Sequence, residues 1–142
     1  MITRDARGVT ADAGYDETHA RVYPREYLDG IAHFNAGRYY DAHEIWEAVW
    51  LRSTGKTKLF YQMLIQTAVA FLHRERRNAH GARVLFGRVC TKLKRLPPVM
   101  MSLDVSDFAR QFHGCFAQFG EETNEAEPAT NQSLVIRLLP LD

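Results

Sequence analysis

Nowhere in this 142-residue chain do apolar residues run on for the roughly 18 to 20 positions that a membrane span needs. The start, MITRDARGVTADAGYDE, is polar and of mixed charge, with no apolar block that could act as a secretory leader. Cysteine is scarce. Cys90 and Cys115 form neither a CxxC pair nor a zinc-knuckle spacing, and each sits among apolar neighbours. Both read as small core residues in a reducing compartment rather than as a disulfide. These absences predict a cytoplasmic protein with no membrane association. No glycine-rich turn follows a strand, so nothing resembles a phosphate loop, and no serine or cysteine has a recognisable catalytic context. No cofactor motif is present.

What the chain does have is the makings of one ordinary core. Its apolar fraction of 46% and charged fraction of 25% are those of a soluble globular domain. The net charge of +1 (18 basic minus 17 acidic) conceals a lopsided distribution. Residues 74–95 hold eight Lys or Arg and one acid, Glu75, whereas residues 100–142 hold seven acids and two bases, Arg110 and Arg137. Such asymmetry can mark a nucleic-acid face. Here Arg83, Arg88, Lys92, Lys94 and Arg95 scatter over half the helical wheel with no aromatic stacking platform, which is the pattern of a solvated helix.

Hydrophobic periodicity predicts an all-α fold. Residues 1–22 lack sustained periodicity and read as a loose arm, residues 23–120 as a single helical domain, and residues 121–142 as an acidic linker with an extended end. Pro24 suits a first helical turn, and Tyr27, Leu28, Ile31 and Phe34 then recur at helical spacing until Gly37 ends the helix. A second helix runs from about Tyr39 to Leu51 and stops at the polar turn Ser53-Thr54-Gly55-Lys56. A third, the most apolar element, spans about Lys58 to Arg76. Asn78 caps a fourth that runs to Leu96 before Pro97-Pro98, and a fifth runs from Ser106 or Asp107 to Gly120. Leu134–Leu139 is β-prone but has no evident partner strand, so it is expected to lie extended against the bundle. Short connections make consecutive helices antiparallel neighbours, giving an irregular bundle of about five helices.

The strongest local signal is Phe34-Asn35-Ala36-Gly37-Arg38-Tyr39-Tyr40-Asp41-Ala42-His43-Glu44-Ile45-Trp46-Glu47-Ala48-Val49-Trp50. It resembles the FNxGxYxxAHExWExxW signature of the uncharacterised helical family called domain of unknown function 309. The continuation resembles it too, in Ile65-Gln66-Thr67-Ala68-Val69-Ala70-Phe71-Leu72-His73 and in Asn78-Ala79-His80-Gly81-Ala82. The resemblance covers roughly residues 25–96 and implies an all-α fold, without an assigned reaction. Two stretches, 36–42 and 81–85, also look like fragments of tetratricopeptide repeats. Their separation of 44 residues departs from that repeat's period of about 34, so only the packing style is similar.

Read without that resemblance, the second predicted helix buries Tyr39, Ala42, Ile45, Trp46, Val49 and Trp50, with His43 and Glu47 stacked along the rim and Glu44 facing away. On the third, Gln62, Gln66 and His73 fall within about 40° of one another and form a polar stripe on a greasy helix. Folding this hairpin about Thr54 sets Glu47 level with Gln62 and His43 level with Gln66, flanked by Trp46 and Trp50. Three readings of this cluster stay open. It can be a buried polar network that fixes helix register. It can line a pocket for a small polar ligand or a partner segment. Or His43 and Glu47 can ligate a metal at i, i+4 with help from His73 or Glu44, although the second histidine of a His-Glu-x-x-His site is missing. In that case Glu47 or Glu44 is the candidate base. The leading expectation is a non-catalytic binding module for a protein segment or small ligand. The alternatives are a metal-dependent hydrolase centred on His43 and Glu47, and a nucleic-acid-binding protein working through the fourth helix.

Overall fold

The computed structural model describes residues 13–117 and 132–141, and among these it contains six helices and one two-stranded hairpin. The helices are α1 (Glu17–Val22), α2 (Arg25–Asn35), α3 (Tyr39–Trp50), α4 (Gly55–Glu75), α5 (Ala79–Leu93) and α6 (Val105–Cys115), with β1 (Val99–Met100) and β2 (Leu103–Asp104) before α6. The all-α architecture is the expected one. From α2 to α5 each helix packs antiparallel against the next, as the short connections dictate. α4 lies at the centre, flanked by α3 and α5. Phe60, Tyr61, Met63, Leu64, Ala68, Ala70 and Phe71 of this helix are all buried. Phe71 joins the two halves of the core: it stacks on Tyr39 at 5.1 Å and meets Phe116 edge-on at 4.9 Å. Each such aromatic pair adds about 0.5–1.5 kcal/mol beyond area burial.

Several elements and boundaries differ from the expectations; the fourth predicted helix, for one, ends at Leu93 rather than Leu96. The third predicted helix begins earlier, at Gly55, because Thr54 supplies the extended N-cap and Gly55 accommodates φ +60°. The end of the fifth predicted helix, 118–120, lies outside the described residues, as do residues 1–12 and most of the acidic linker. Residues 17–22, expected within a loose arm, form α1. An Asp16 capping box starts it, and buried His19 anchors it. The Asp16 N–H donates to His19 Nδ1 at 3.0 Å, which leaves Nε2–H to donate to Leu139 O at 2.7 Å. The hairpin was not foreseen either: Met101 and Ser102 both adopt φ > 0, at +50° and +62°, without a glycine to announce the turn. Tyr27 Oη donates to Met101 O at 2.9 Å, and Tyr23 Oη shares a hydrogen bond with Ser102 Oγ at 2.6 Å, so tertiary contacts hold this turn.

The segment 132–141 does lie extended against the bundle. Leu134, Ile136 and Leu138 are buried while Val135, Arg137 and Leu139 face outward, a period of two. Asn35 reads its main chain: Ile136 N–H donates to Asn35 Oδ1, and Asn35 Nδ2 donates to Ile136 O, both at 2.8 Å.

Two helix ends use the same device with different residues. After α2, Gly37 N–H donates to Phe34 O and Arg38 N–H to His33 O, with Gly37 at φ +80°. After α4, Arg77 N–H donates to Arg74 O and Asn78 N–H to His73 O, with Arg77 at φ +59°. Both are Schellman motifs, and a side chain at the left-handed position costs about 1–2 kcal/mol that glycine avoids. Arg77→Gly is therefore predicted to raise the unfolding free energy in urea titrations by about 0.5–1 kcal/mol, and Gly37→Ala to lower it by about 1 kcal/mol.

Candidate functional site

The long motif is first of all a core device. Phe34, Tyr39, Ala42 and Trp46 are buried, and Trp46 is fully so. A Cβ on Gly30 would stand 2.0 Å from the Trp46 indole nitrogen, so α2 can approach α3 only because residue 30 has no side chain. The indole N–H donates to Tyr27 O at 3.2 Å. Trp46 is therefore a keystone between α2 and α3 and offers no surface to a ligand.

The other candidates lie along the α3–α4 hairpin. His43 Nδ1–H donates to its own helix, to Tyr40 O at 2.8 Å, and its ring lies 5.1 Å from that of Tyr40. This leaves Nε2 facing Glu47 Oε2 at 3.7 Å, an i, i+4 contact that becomes an ion pair on protonation. With Glu47 half exposed, such a pair is worth a few tenths of a kcal/mol. Among the described residues, no hydrogen bond joins Glu47 to Gln62 or His43 to Gln66; both α3 side chains turn to partners on their own helix. Gln62 and Gln66 are half-buried on α4, and Gln66 Oε1 is buried with no hydrogen-bond partner. Trp50 is half-buried under Lys58, whose Nζ stands 4.7 Å from the ring centroid, and its Nε1 is likewise buried without a partner.

His73 lies two helical turns beyond Gln66 and serves a different purpose. Gly81 N–H donates to Asn78 Oδ1 at 3.0 Å, which turns Asn78 Nδ2 toward His73 Nδ1 at 3.1 Å. Since the amide nitrogen only donates, His73 Nδ1 accepts and its proton sits on Nε2. A Cβ at Gly81 would come within 2.7 Å of that ring. The IQxAxAxxH and NxxGA stretches thus form one clasp that closes α4 on α5, with Asn78 capping α5 as expected. His73 is thereby engaged away from His43 and Glu47. Among the described residues, no group of three or more His, Cys, Asp or Glu side chains converges as a metal site would require.

Residues 27–85 match the family described as Domain of unknown function (DUF309). That match takes in less than half of the chain. YpuF of Bacillus subtilis (strain 168), described as an uncharacterised protein, is 39% identical over 66 residues, which are 45% of this chain and 38% of YpuF. The chain thus spans well under half the length of that relative. The DUF309 segment runs from α2 into α5 and contains every candidate residue above, while the hairpin, α6 and the extended segment lie outside it. Among the described residues, no helix is long and apolar enough to cross a membrane.

Several structurally important residues escaped the sequence reading. Arg74 lies 4.7 Å over the Phe71 ring and donates to Cys115 O at 3.2 Å and Gln132 O at 2.7 Å, tying α4 to the end of α6 and to the extended segment. Tyr61 is buried with its hydroxyl unpartnered. Burial, reinforced by Glu26 and opposed by Arg52, pushes its phenol up to about 12. Tyr27 is also held well above the ordinary tyrosine value, mainly by burial. Both groups keep their protons in the fold above pH 10.0, where the unfolded chain releases them, so their contribution is complete below pH 10.0 and is lost as the pH rises toward 12. Unfolding free energy measured across this range is predicted to fall steeply for the native chain and less steeply for Tyr61→Phe. At neutral pH, Tyr61→Phe should be more stable by about 1 kcal/mol, since it removes a buried hydroxyl without a partner.

Proposed function

We propose that the DUF309 segment is a non-catalytic binding module, and that a segment of a partner protein lies along the face of α4 left open between α3 and α5. One observation carries this reading: Trp50 Nε1, a donor on α3, and Gln66 Oε1, an acceptor on α4, are buried and have no partner within the fold. An unpaired buried polar group costs about 1–3 kcal/mol, and native folds keep few of them. An extended peptide presents a carbonyl for the indole and an N–H for the amide oxygen, recovering both hydrogen bonds on binding. Gln62, half-buried one turn from Gln66, and the exposed ring of Tyr40 beside His43 extend the same face. His43 and Glu47 form its rim and adjust its charge. Metal-dependent hydrolysis has less support, because His43 and Glu47 supply two ligands and His73 is committed to the clasp with Asn78 and Gly81. Two free thiols, Cys90 and Cys115, fit a reducing compartment, so the module is assigned to the cytoplasm.

The test is to pan a displayed library of random peptides against the intact chain and to measure the affinity of enriched peptides for Gln66→Leu and Trp50→Phe. The proposal predicts enrichment of peptides that bind the native chain and lose at least about tenfold in affinity with either variant, as the loss of one buried hydrogen bond implies. Peptides that bind the variants and the native chain equally, or no enrichment, would contradict it.

A further inference from the structure

A second surface stands out at one end of the bundle, where α2 and α4 begin and α3 and α5 end. Three connections meet there. Arg52 Nη2 donates to Glu26 Oε2 at 2.7 Å, joining the α3–α4 turn to the start of α2. Lys56 Nζ donates to Arg95 O, joining the start of α4 to the end of α5. Tyr23 and Ser102 join the α1–α2 connection to the hairpin. Leu139 reaches the same place, donating its N–H to Ser102 O at 2.7 Å.

This end is unusual in two independent respects. Among the described residues six large hydrophobic side chains remain exposed, and four of them, Val22, Leu51, Val99 and Leu139, are here. Leu51 is 71% exposed and Val22 62%, at the ends of α3 and α1, and neither shares in the core. The end is also basic: residues 21–26, 51–58 and 92–102 together hold eight Lys or Arg against one acid, Glu26, and three of these cations pair with carboxylates, Arg52 with Glu26, Arg21 with Glu17 and Arg25 with Asp29. Cations crowd closely enough for Lys92 to be held below its ordinary value, first by partial burial and then by Arg88 and Arg95. Aliphatic tips on separate turns, set among cations, differ from the connected aromatic and arginine cluster that anchors a protein interface. They suit a surface that is anionic outside and apolar just beneath.

We infer that this end of the bundle attaches peripherally to an anionic lipid surface, with Val22, Leu51 and Val99 entering the headgroup boundary and the surrounding Lys and Arg side chains meeting the lipid phosphates. A chain without a membrane span can still bind in this way, because apolar insertion and attraction to anionic lipid add together. Each cation near such a surface contributes roughly fivefold to partitioning, and the attraction fades within a Debye length as salt rises.

The experiment is co-sedimentation of the full chain with phosphatidylcholine vesicles, either pure or containing one part in four of phosphatidylglycerol, at about 0.1 M and about 0.5 M salt. The expected result is partitioning to the anionic vesicles at low salt, little to the pure phosphatidylcholine vesicles, and a loss of at least about tenfold at high salt. The triple variant Val22→Ser, Leu51→Ser, Val99→Ser changes only exposed side chains and should weaken partitioning by about tenfold or more. Circular dichroism of this variant, matching the native spectrum, confirms that its fold is intact. Failure to sediment with anionic vesicles would overturn the inference. So would undiminished sedimentation of the triple variant, which would leave a purely electrostatic surface suited to an acidic protein or a nucleic acid.

Discussion

Everything in this fold depends on enclosing α4. A 21-residue helix with apolar side chains on nearly every side cannot stand at a surface, so α3, α5 and the residues behind them must wrap it. The tightest constraints follow from that wrapping. α2 reaches α3 through the missing side chain of Gly30, and α5 reaches α4 through the missing side chain of Gly81. Arg74 and Phe71 then carry the packing on to α6 and to the extended segment. A strip of α4 that is incompletely covered carries Gln62 and Gln66, and Gln66 Oε1 is one of three buried side-chain polar atoms without a partner among the described residues, with Trp50 Nε1 and Tyr61 Oη.

The motif that distinguishes the chain is explained almost entirely by this enclosure. Phe34, Tyr39, Ala42 and Trp46 fill the α2–α3–α4 core, Gly37 closes α2, Asn35 holds the extended segment, and His73, Asn78 and Gly81 clasp α4 to α5. A signature so rich in aromatic and polar residues looks like an active site, yet most of its members are engaged within the fold. What is left over is small and specific: the Trp50 indole nitrogen, the Gln66 amide oxygen and the His43–Glu47 rim.

The architecture was legible because its main signals are local. Periodicity located the helices, glycine and Asn78 located their ends, and the alternation of Leu134, Ile136 and Leu138 placed the terminal segment against the bundle. The hairpin at Met101–Ser102 was not legible, since its left-handed residues are held by Tyr23 and Tyr27 from more than 70 positions away. α1 was hidden for the same reason: its anchor, His19, bonds to Leu139. For the candidate site, helical spacing put His43 one turn from Glu47, and the two side chains stand 3.7 Å apart. It could not show that His43 would turn to Tyr40 O rather than to Gln66, because that choice depends on side-chain rotation within a single turn. Nor could spacing show that His73 belongs to the α5 junction.

The account rests on Gln66 contributing to recognition rather than to folding, and the unfolding free energy of Gln66→Leu tests that directly. If Gln66 Oε1 has no partner in the fold, leucine removes a buried polar atom and adds apolar contact, and urea denaturation should find the variant as stable as the native chain or more so. A loss of about 1–3 kcal/mol would mean that Gln66 is satisfied within the fold and belongs to a structural network, and the binding-face account would fail.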